Sequence, residues 1–204
     1  FKKDDTNSFR LPNEFAMFPQ FVYNLRRSNF VQQFATSCDE SAFYRSLLLR
    51  DNCTNSTVMI QPSLLSYSFD SPEPNPVVLD IASMKNNVIL LLDTFFDIVI
   101  WKGDTIRKWE KAGYQDQPEY ENFKTLLAAP TDDAKLIIED RYPAPTLFQT
   151  YPGHTKERKL KSKVNPSGLE LDNATCQEGD FVSDDASLQM FMSHLIKIVV
   201  TSNN

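Results

Sequence analysis

Cysteine and histidine are scarce in this chain. Only three cysteines occur among its 204 residues, at Cys38, Cys53 and Cys176, and none belongs to a CxxC pair. A disulfide framework or a zinc site needs more cysteines at regular spacings. The cysteine usage and the lack of a signal peptide favour a cytosolic protein over a secreted one, and we attribute three Asn-X-Ser/Thr matches to chance.

Long hydrophobic runs are also missing. The longest are Val88–Leu92 and Phe95–Trp101, and Asp93 and Thr94 separate them. A membrane-spanning helix needs about 20 apolar residues in a row, so the sequence predicts no transmembrane segment. Because the chain begins with Phe1 and not with Met, we expect it to be part of a longer protein.

The chain has no excess of positive charge. Its formal net charge is -6 at pH 7. Nucleic-acid binders are normally basic, so we expect no nucleic-acid partner. Bulk electrostatics does not draw such a chain onto an anionic membrane either. Hydrophobic residues make up 41% and charged residues 24%, which are ordinary values for a soluble globular protein.

Motifs for autonomous catalysis are absent. Neither His154 nor His194 lies near a nucleophile motif, and we interpret them as a loop residue and a helix-surface residue. There is no HExxH motif, no EF-hand loop and no Gly-rich phosphate loop. Two acid pairs, Asp132-Asp133 and Asp184-Asp185, are explained as helix starts, where the helix dipole favours carboxylates. We therefore expect no metal, no cofactor and no self-sufficient enzyme.

The first part of the chain has a helical pattern. Apolar residues between Phe9 and Arg50 recur at spacings of three and four, and one helix is predicted to begin near Pro19. A second is predicted near Asp39, where Ser37 and Glu40 have the spacing of a capping box. The side chains expected to face inward are Phe15, Phe18, Phe21, Val22, Leu25, Ala42, Phe43, Leu47 and Leu48.

Beyond a domain boundary that we place near Thr57, the pattern is mixed. Strands and helices alternate, so we predict an α+β fold: a mixed sheet flanked by helices and closed by a C-terminal helix, after the end of an all-helical domain. The predicted strands are Val88–Asp93, Phe95–Lys102, Phe148–Tyr151 and Arg158–Val164. The predicted helices run from Asp104 to Ala112, from Asp116 onward, from Thr131 onward and from Asp185 to Val199.

The most basic stretch of this acidic chain is Thr155–Ser167, with sequence TKERKLKSKVNPS. One interpretation is a solvated edge strand, whose lysines discourage pairing with another edge. The other concerns Arg158, which follows Gly153 closely enough for a turn to project it outward. A guanidinium fork pairs with phosphate oxygens in a way that lysine cannot match. The pattern alone leaves both interpretations open.

Several runs, in the same order along the chain, resemble the C-terminal region of the COPII inner-coat GTPase-activating subunit, the Sec-twenty-three family. The resemblance covers nearly the whole chain after residue 8. The matching runs are FRLPNEF, YNLRRSNF, VMIQPSLLSYSF, LLLDTFFDIVIWKGDTI, GYQDQPEYENF, SKVNPS and DDASLQMFMSHL.

The resemblance implies two domains and a role in trans. Residues 1–57 would be the C-terminal part of a helical domain and residues 58–204 a gelsolin-like domain, with a zinc-binding finger upstream and outside this chain. The family stimulates GTP hydrolysis by the small GTPase Sar through an arginine four residues before the Ser-Lys-Val-Asn-Pro-Ser run. That arginine is Arg158 here. The sequence departs from the family's usual apolar residues at Lys159 and Lys161, which puts the geometry of this segment in question.

A second implied feature is the docking of proline-rich segments on the gelsolin-like domain. We carry this feature over to Tyr120 of PEYENF, because a tyrosine face is a suitable platform for a polyproline II helix. Tyr120 can equally be read as a half-buried helix residue.

The resemblance also implies partners and a location. The partners would be Sar, the inner-coat cargo-adaptor subunit and the outer-coat subunits of COPII, at coated vesicles and the cytoplasmic face of the endoplasmic reticulum, with peripheral membrane association only. Two alternatives stay open: a gelsolin-type actin- or phosphoinositide-binding module, and a structural segment that braces an upstream trunk.

Overall fold

Packing divides the chain into two units. One comprises residues 1–46 and 165–204, and the other comprises residues 47–164. This computed structural model describes residue 2 and residues 5–31, 37–70, 73–167 and 186–201. The domain boundary near Thr57 stays a prediction.

The first unit is built from helices. They are α1 (Phe18–Arg26), the start of α2 (Cys38–Arg50) and α7 (Leu188–Thr201). Pro19 lies in the first turn of α1, as the sequence predicts. Ser37 Oγ accepts from the Glu40 N–H at 3.2 Å, and the Ser37 N–H donates to the Glu40 carboxylate at 3.4 Å, so the capping box is confirmed.

The C-terminal helix packs against α1 within this unit. The Tyr23 hydroxyl donates to the Ala186 carbonyl at 2.8 Å, and the rings of Tyr23 and Phe191 lie 5.7 Å apart. The sequence pattern instead predicts that this helix closes the sheet. Four residues predicted to face inward are exposed, so those predictions are wrong: Phe15, Phe18, Ala42 and Phe43.

A mixed five-stranded sheet forms the centre of the second unit, which confirms the predicted α+β class. Its spatial order is β2-β1-β3-β4-β5. The first four strands in that order pair antiparallel, and β4 pairs with β5 in parallel. The strands are β1 (Ser63–Ser68), β2 (Asn75–Pro76), β3 (Val88–Asp93), β4 (Asp97–Lys102) and β5 (Thr146–Thr150).

Helices and short turns cover both faces of this sheet. Because side chains alternate along a strand, Ile89 and Leu91 pack on one face, while Leu90 and Leu92 pack on the other. The helices are α3 (Cys53–Ile60), α4 (Asp104–Lys111), α5 (Glu121–Glu139) and α6 (Glu157–Lys161). Single 3₁₀ turns of this unit lie at Ile81–Ser83, Tyr114–Asp116 and Pro118–Tyr120, and those of the first unit lie at Thr6–Ser8 and Asn13–Phe15.

Helix α5 differs from its prediction. The sequence predicts a new helix from Thr131, but α5 continues through Pro130. Leu126, Pro130 and Ala134 are spaced by four and are all buried, so one apolar stripe holds both halves of the helix. The acid pair Asp132-Asp133 is therefore not a helix start.

Asp133 instead accepts a hydrogen bond of 2.7 Å from the buried Tyr67 hydroxyl. Burial together with this carboxylate raises the pKa of Tyr67 above its ordinary value. The other acid pair, Asp184-Asp185, lies outside the described residues.

A buried ion pair joins the end of β3 to the end of α5. Arg141 donates to both carboxylate oxygens of Asp93, at 2.5 and 2.7 Å, and the side chains are only 9% and 6% exposed. Asp93 also accepts from the Phe95 N–H at 2.8 Å. This bond supports Phe95 at a φ of 73°, a left-handed conformation that is costly for an aromatic residue.

No helix of the described ranges has both the length and the apolar character that crossing a bilayer requires.

We expect Arg141→Met to lower the free energy of unfolding of the second unit by about 3–5 kcal/mol, because it leaves the Asp93 carboxylate buried without its partner. Both tryptophans, Trp101 and Trp109, lie in this unit, so urea unfolding followed by tryptophan fluorescence reports on it.

The matched control is Lys135→Met, which removes an exposed pair with Asp132 whose side chains are 62% and 63% accessible. Its cost should stay below about 1 kcal/mol. Equal costs for the two variants would contradict the role given to the buried pair.

Candidate functional site

The basic segment forms a short helix and not the predicted edge strand. Gly153 has a φ of 79° in the turn that closes with a hydrogen bond of 3.1 Å from the His154 N–H to the Tyr151 carbonyl. The chain then enters α6. Leu160 and Val164 are buried at a spacing of four and pack with Trp101 on the sheet. A spacing of four would place both on one side of a strand as well, but the buried Glu157 and Leu160 are three residues apart, which puts them on one side of a helix and on opposite sides of a strand.

Glu157 anchors the first turn of α6. It is only 6% exposed, and both of its carboxylate oxygens are used. One accepts from the indole N–H of Trp101 at 3.3 Å. The other accepts from the Gly153 N–H at 3.0 Å and pairs with Lys161 Nζ at 3.0 Å. One carboxylate therefore ties the turn, the sheet and the helix together.

Arg158 points away from this anchor. It lies two residues before Leu160, which is fully buried, and two residues correspond to about 200° around a helix. The burial of Leu160 therefore turns Arg158 outward, and its side chain is exposed. Its guanidinium makes no hydrogen bond or ion pair with any residue that the structure describes.

The neighbouring lysines are engaged within the unit. Lys159 Nζ lies 2.6 Å from Asp97 Oδ2 and 4.2 Å from the centre of the Phe148 ring. Lys156 Nζ lies 5.3 Å from the same ring, and Lys161 pairs with Glu157. The two lysines that depart from the family pattern, Lys159 and Lys161, thus find acidic partners on the second unit itself.

Helix α4 braces the turn from the other side. The Arg107 guanidinium stacks on the Tyr151 ring at 3.4 Å from its centre, and the rings of Tyr151 and His154 lie 4.8 Å apart. His154 Nδ1 also lies 3.3 Å from the Thr150 hydroxyl. This histidine therefore has a structural role in the turn, which suits its interpretation as a loop residue.

A second candidate site is an aromatic groove of about 280 Å³, which lies on the side of the sheet covered by α4 and α5. Its lining combines Tyr120 with four residues that the sequence reasoning did not assign to a site. The groove-lining residues are Phe69, Trp109, Tyr114, Tyr120 and Phe123.

The rings of the groove meet edge to face. Trp109 lies at 78° to Phe69 and at 75° to Phe123, and Tyr114 lies at 74° to Tyr120. Edge-to-face contacts stabilise the rings against one another and leave ring faces exposed, with gaps between them. Trp109 and Tyr120 each remain 36% exposed and Phe69 44%, so ring surface is accessible in the absence of any ligand.

The sequence contains an indication of part of this groove. Tyr114, Tyr120 and Phe123 fall within eleven residues of chain, in the run GYQDQPEYENF. Trp109 and Phe69 come from α4 and the end of β1, and only the fold brings them to the same place. Glu157 also had a signal, because it is the single acid in a run of basic residues, yet its burial depends on contacts with Trp101 and Gly153.

Among the described residues, no three His, Cys, Asp or Glu side chains come together as a metal site would require.

Comparison with known protein families finds two matching segments of the chain. The family model of the Sec23/Sec24 helical domain matches residues 1–58, and the gelsolin repeat model matches residues 70–154. Together the two matches support a C-terminal region of the Sec23/Sec24 family, with a helical segment followed by a gelsolin-like segment.

A solved structure shares the fold of this chain. The human COPII-coat protein Sec24c superposes with a TM-score of 0.68 and is 17% identical in sequence. The alignment covers 96% of this chain and 26% of the Sec24c chain. The chain therefore spans about a quarter of the length of that structure.

The helical geometry of α6 makes a testable distinction between two adjacent residues, Lys159 and Leu160. We expect Leu160→Ala to lower the free energy of unfolding by about 2–5 kcal/mol, because Leu160 is fully buried. Lys159→Ala should cost below about 1 kcal/mol, because its pair with Asp97 is partly exposed. The measurement is urea unfolding followed by tryptophan fluorescence. A larger cost at Lys159 than at Leu160 would contradict the orientation of α6.

Proposed function

We propose that this chain stimulates GTP hydrolysis by the small GTPase Sar, with Arg158 as an arginine finger that enters the active site of the GTPase. The observation that carries the proposal is the contrast within α6. Arg158 is exposed and has no described partner, while the adjacent Glu157 is buried and holds the segment through three contacts. An outward cation on an anchored support is what an arginine finger requires.

The proposed chemistry belongs to the transition state. Negative charge is distributed over the oxygens of the transferring phosphoryl group, and a guanidinium delivered by a second protein stabilises that charge. Such fingers contribute about 10³–10⁵ in rate. The finger itself donates hydrogen bonds and positive charge, while nucleotide and metal are held by the GTPase.

The lysines of the segment are less suited to this role. Lys159 and Lys161 are already paired with Asp97 and Glu157, at 2.6 and 3.0 Å. An ammonium group also lacks the planar fork that contacts two phosphate oxygens at once. Arg158 is therefore the cation of α6 that can leave the surface of this unit without breaking an ion pair.

We expect Arg158→Ala in the full-length protein to reduce the stimulated rate of GTP hydrolysis by Sar a hundredfold or more, while binding to GTP-loaded Sar is retained. An interaction made only in the transition state changes the rate constant and not the affinity. The measurement is single-turnover GTP hydrolysis at increasing concentrations of the full-length protein. Arg158→Lys should recover only a small part of the rate.

The control is Lys124→Ala, which removes one positive charge from an exposed position on α5. With this variant, Sar should hydrolyse GTP at the unaltered stimulated rate. An undiminished rate with Arg158→Ala would overturn the finger and leave the region with a scaffolding role in the coat.

We propose a second function for the aromatic groove: the docking of proline-rich segments of other coat or adaptor proteins. The observation behind it is the groove itself, where five aromatic side chains surround a volume of about 280 Å³. A polyproline II helix is ordered before it binds and offers rigid rings that fit between aromatic ridges. The edge-to-face pairs of Trp109 with Phe69 and Phe123, and of Tyr114 with Tyr120, supply such ridges.

The two proposed sites lie on opposite faces of one sheet. Phe123, at the base of the groove, packs with Ile89 and Leu91. Leu160 of α6 packs with Leu90 and Leu92 on the other side. The sheet separates the sites, so a proline-rich segment and a GTPase can be bound together, which suits a coat subunit that joins one layer to another.

We expect Tyr120→Ala to weaken binding of a peptide with three consecutive prolines by about tenfold or more, since loss of an aromatic contact in a docking groove typically costs over 1 kcal/mol. Trp109 lines the same groove, so its fluorescence reports the titration directly. Replacing the three prolines of the peptide by alanine should abolish the fluorescence change.

The matched control is Tyr142→Ala, which removes a tyrosine that is 78% exposed and lies outside the groove lining. Peptide affinity should be unchanged in this variant. If both tyrosine variants bind as the parent does, the groove is not the docking site.

Similarity to the Sec23/Sec24 family supports a place in the COPII coat at the cytoplasmic face of the endoplasmic reticulum. In that coat the proposed partners are Sar, the inner-coat cargo-adaptor subunit and outer-coat subunits. An actin- or phosphoinositide-binding role is not favoured, because a helical segment of the same family, residues 1–58, precedes the gelsolin repeat.

A further inference from the structure

We infer that Glu157 is the positioning residue of the arginine finger: its buried carboxylate sets the direction in which Arg158 leaves the surface. The inference rests on the proposed function of Arg158. It concerns a buried acid that the proposed chemistry does not itself use, located one residue away from the finger.

Glu157 is buried, although an acid at this position of a short helix is normally solvated, so its burial needs an explanation. An acid in the first turn of a five-residue helix is normally exposed, where it interacts with the helix dipole at little cost. Here the side chain is 8% exposed, and a buried carboxylate is tolerated only when its oxygens are paired. The three partners meet that condition, so Glu157 is held in one orientation.

Each partner fixes a different element. The Trp101 indole belongs to β4, in the centre of the sheet, and donates at 3.3 Å. The Gly153 N–H belongs to the left-handed turn that precedes α6, and donates at 3.0 Å. Lys161 lies one helical turn further on and pairs at 3.0 Å. The carboxylate thereby orients α6 relative to both the sheet and the turn.

The direction of Arg158 follows from that orientation. A helix of five residues has few internal hydrogen bonds, so its orientation depends on its contacts. Leu160 determines which side of α6 faces the sheet, and Glu157 determines how the first turn is held. Without the carboxylate, the first turn of α6 can rotate or fray, and the guanidinium then samples several directions. Misplacement by about 1 Å is enough to reduce a rate by about a hundredfold.

The test uses four full-length proteins: the parent, Arg158→Ala, Glu157→Ala and the double variant. In single-turnover GTP hydrolysis with Sar, we expect Glu157→Ala to lower the maximal stimulated rate at least tenfold, with the half-saturating concentration changed less than twofold. In the Arg158→Ala background, Glu157→Ala should cause no further loss, because a residue that acts only through Arg158 has nothing left to position.

The remaining outcomes separate the possible failures. A loss with Arg158→Ala but none with Glu157→Ala overturns the positioning role and leaves the finger intact. No loss with Arg158→Ala overturns the proposed function itself. A further loss in the double variant, or a raised half-saturating concentration, shows that Glu157 merely maintains the surface, which also overturns the inference.

Two further variants guard against a folding defect. Gly153→Ala keeps the N–H that donates to Glu157, and its new Cβ would meet nothing within 4 Å, but it strains the left-handed turn. We expect it to lower the maximal rate in the same direction as Glu157→Ala without affecting the half-saturating concentration. An unchanged rate with this variant would count against the positioning role. Glu139→Gln, at an exposed acid at the end of α5, is the matched control and should leave the rate unaltered.

Discussion

The ion pair between Asp93 and Arg141 is the contact on which the architecture of the second unit depends. Asp93 ends the central strand β3, and Arg141 follows α5 at the point where the chain turns back toward β5. Between these residues the chain forms β4, then leaves the sheet and makes α4 and α5 on one face, and beyond Arg141 it returns as β5, parallel to β4. A single bidentate contact thus fixes where that crossover ends. It also fixes the β3–β4 turn, because the same carboxylate accepts the N–H of Phe95.

The functional geometry follows from that crossover. By placing α4 and α5 on one face, it brings Trp109, Tyr114, Tyr120 and Phe123 beside Phe69 and so makes the aromatic groove. The other face remains available for the chain that follows β5, and α6 covers it through Leu160 and Val164. The two candidate sites are therefore consequences of how one sheet is covered on its two sides.

The sequence predicted the elements whose signal is local. The apolar run Val88–Leu92 predicted a strand buried on both faces, and all six residues of the strand Val88–Asp93 are buried. The capping box at Ser37 and Glu40 and the proline start of α1 are also local signals. Strand β1 was not predicted, because in Ser63–Ser68 the two leucines are adjacent and give no alternation.

The wrong predictions concern segments whose structure is determined by contacts with residues distant in the sequence. The acid pair Asp132-Asp133 suggested a new helix from Thr131, yet a buried stripe on both sides of Pro130 keeps α5 continuous. The run from Arg158 to Val164 fits strand alternation as well as helix, and only the partners of Leu160 and Glu157, more than fifty residues away on β4, distinguish the two. For the same reason the sequence could single out Arg158 and Tyr120 but not the groove or the anchor.

The structure has a helix where the sequence predicted a strand, and this difference strengthens the case for Arg158 as an arginine finger. In a strand, Arg158 and the apolar Leu160 would share one face, so burying the leucine would turn the arginine toward the core. In a helix they lie about 160° apart, so the same burial drives the arginine outward. Helix also gives Lys159 and Lys161 separate acidic partners, Asp97 and Glu157, which neutralises the charges flanking Arg158. An outward guanidinium with no partner among the residues that the structure describes is thus a product of the same contacts that fold α6.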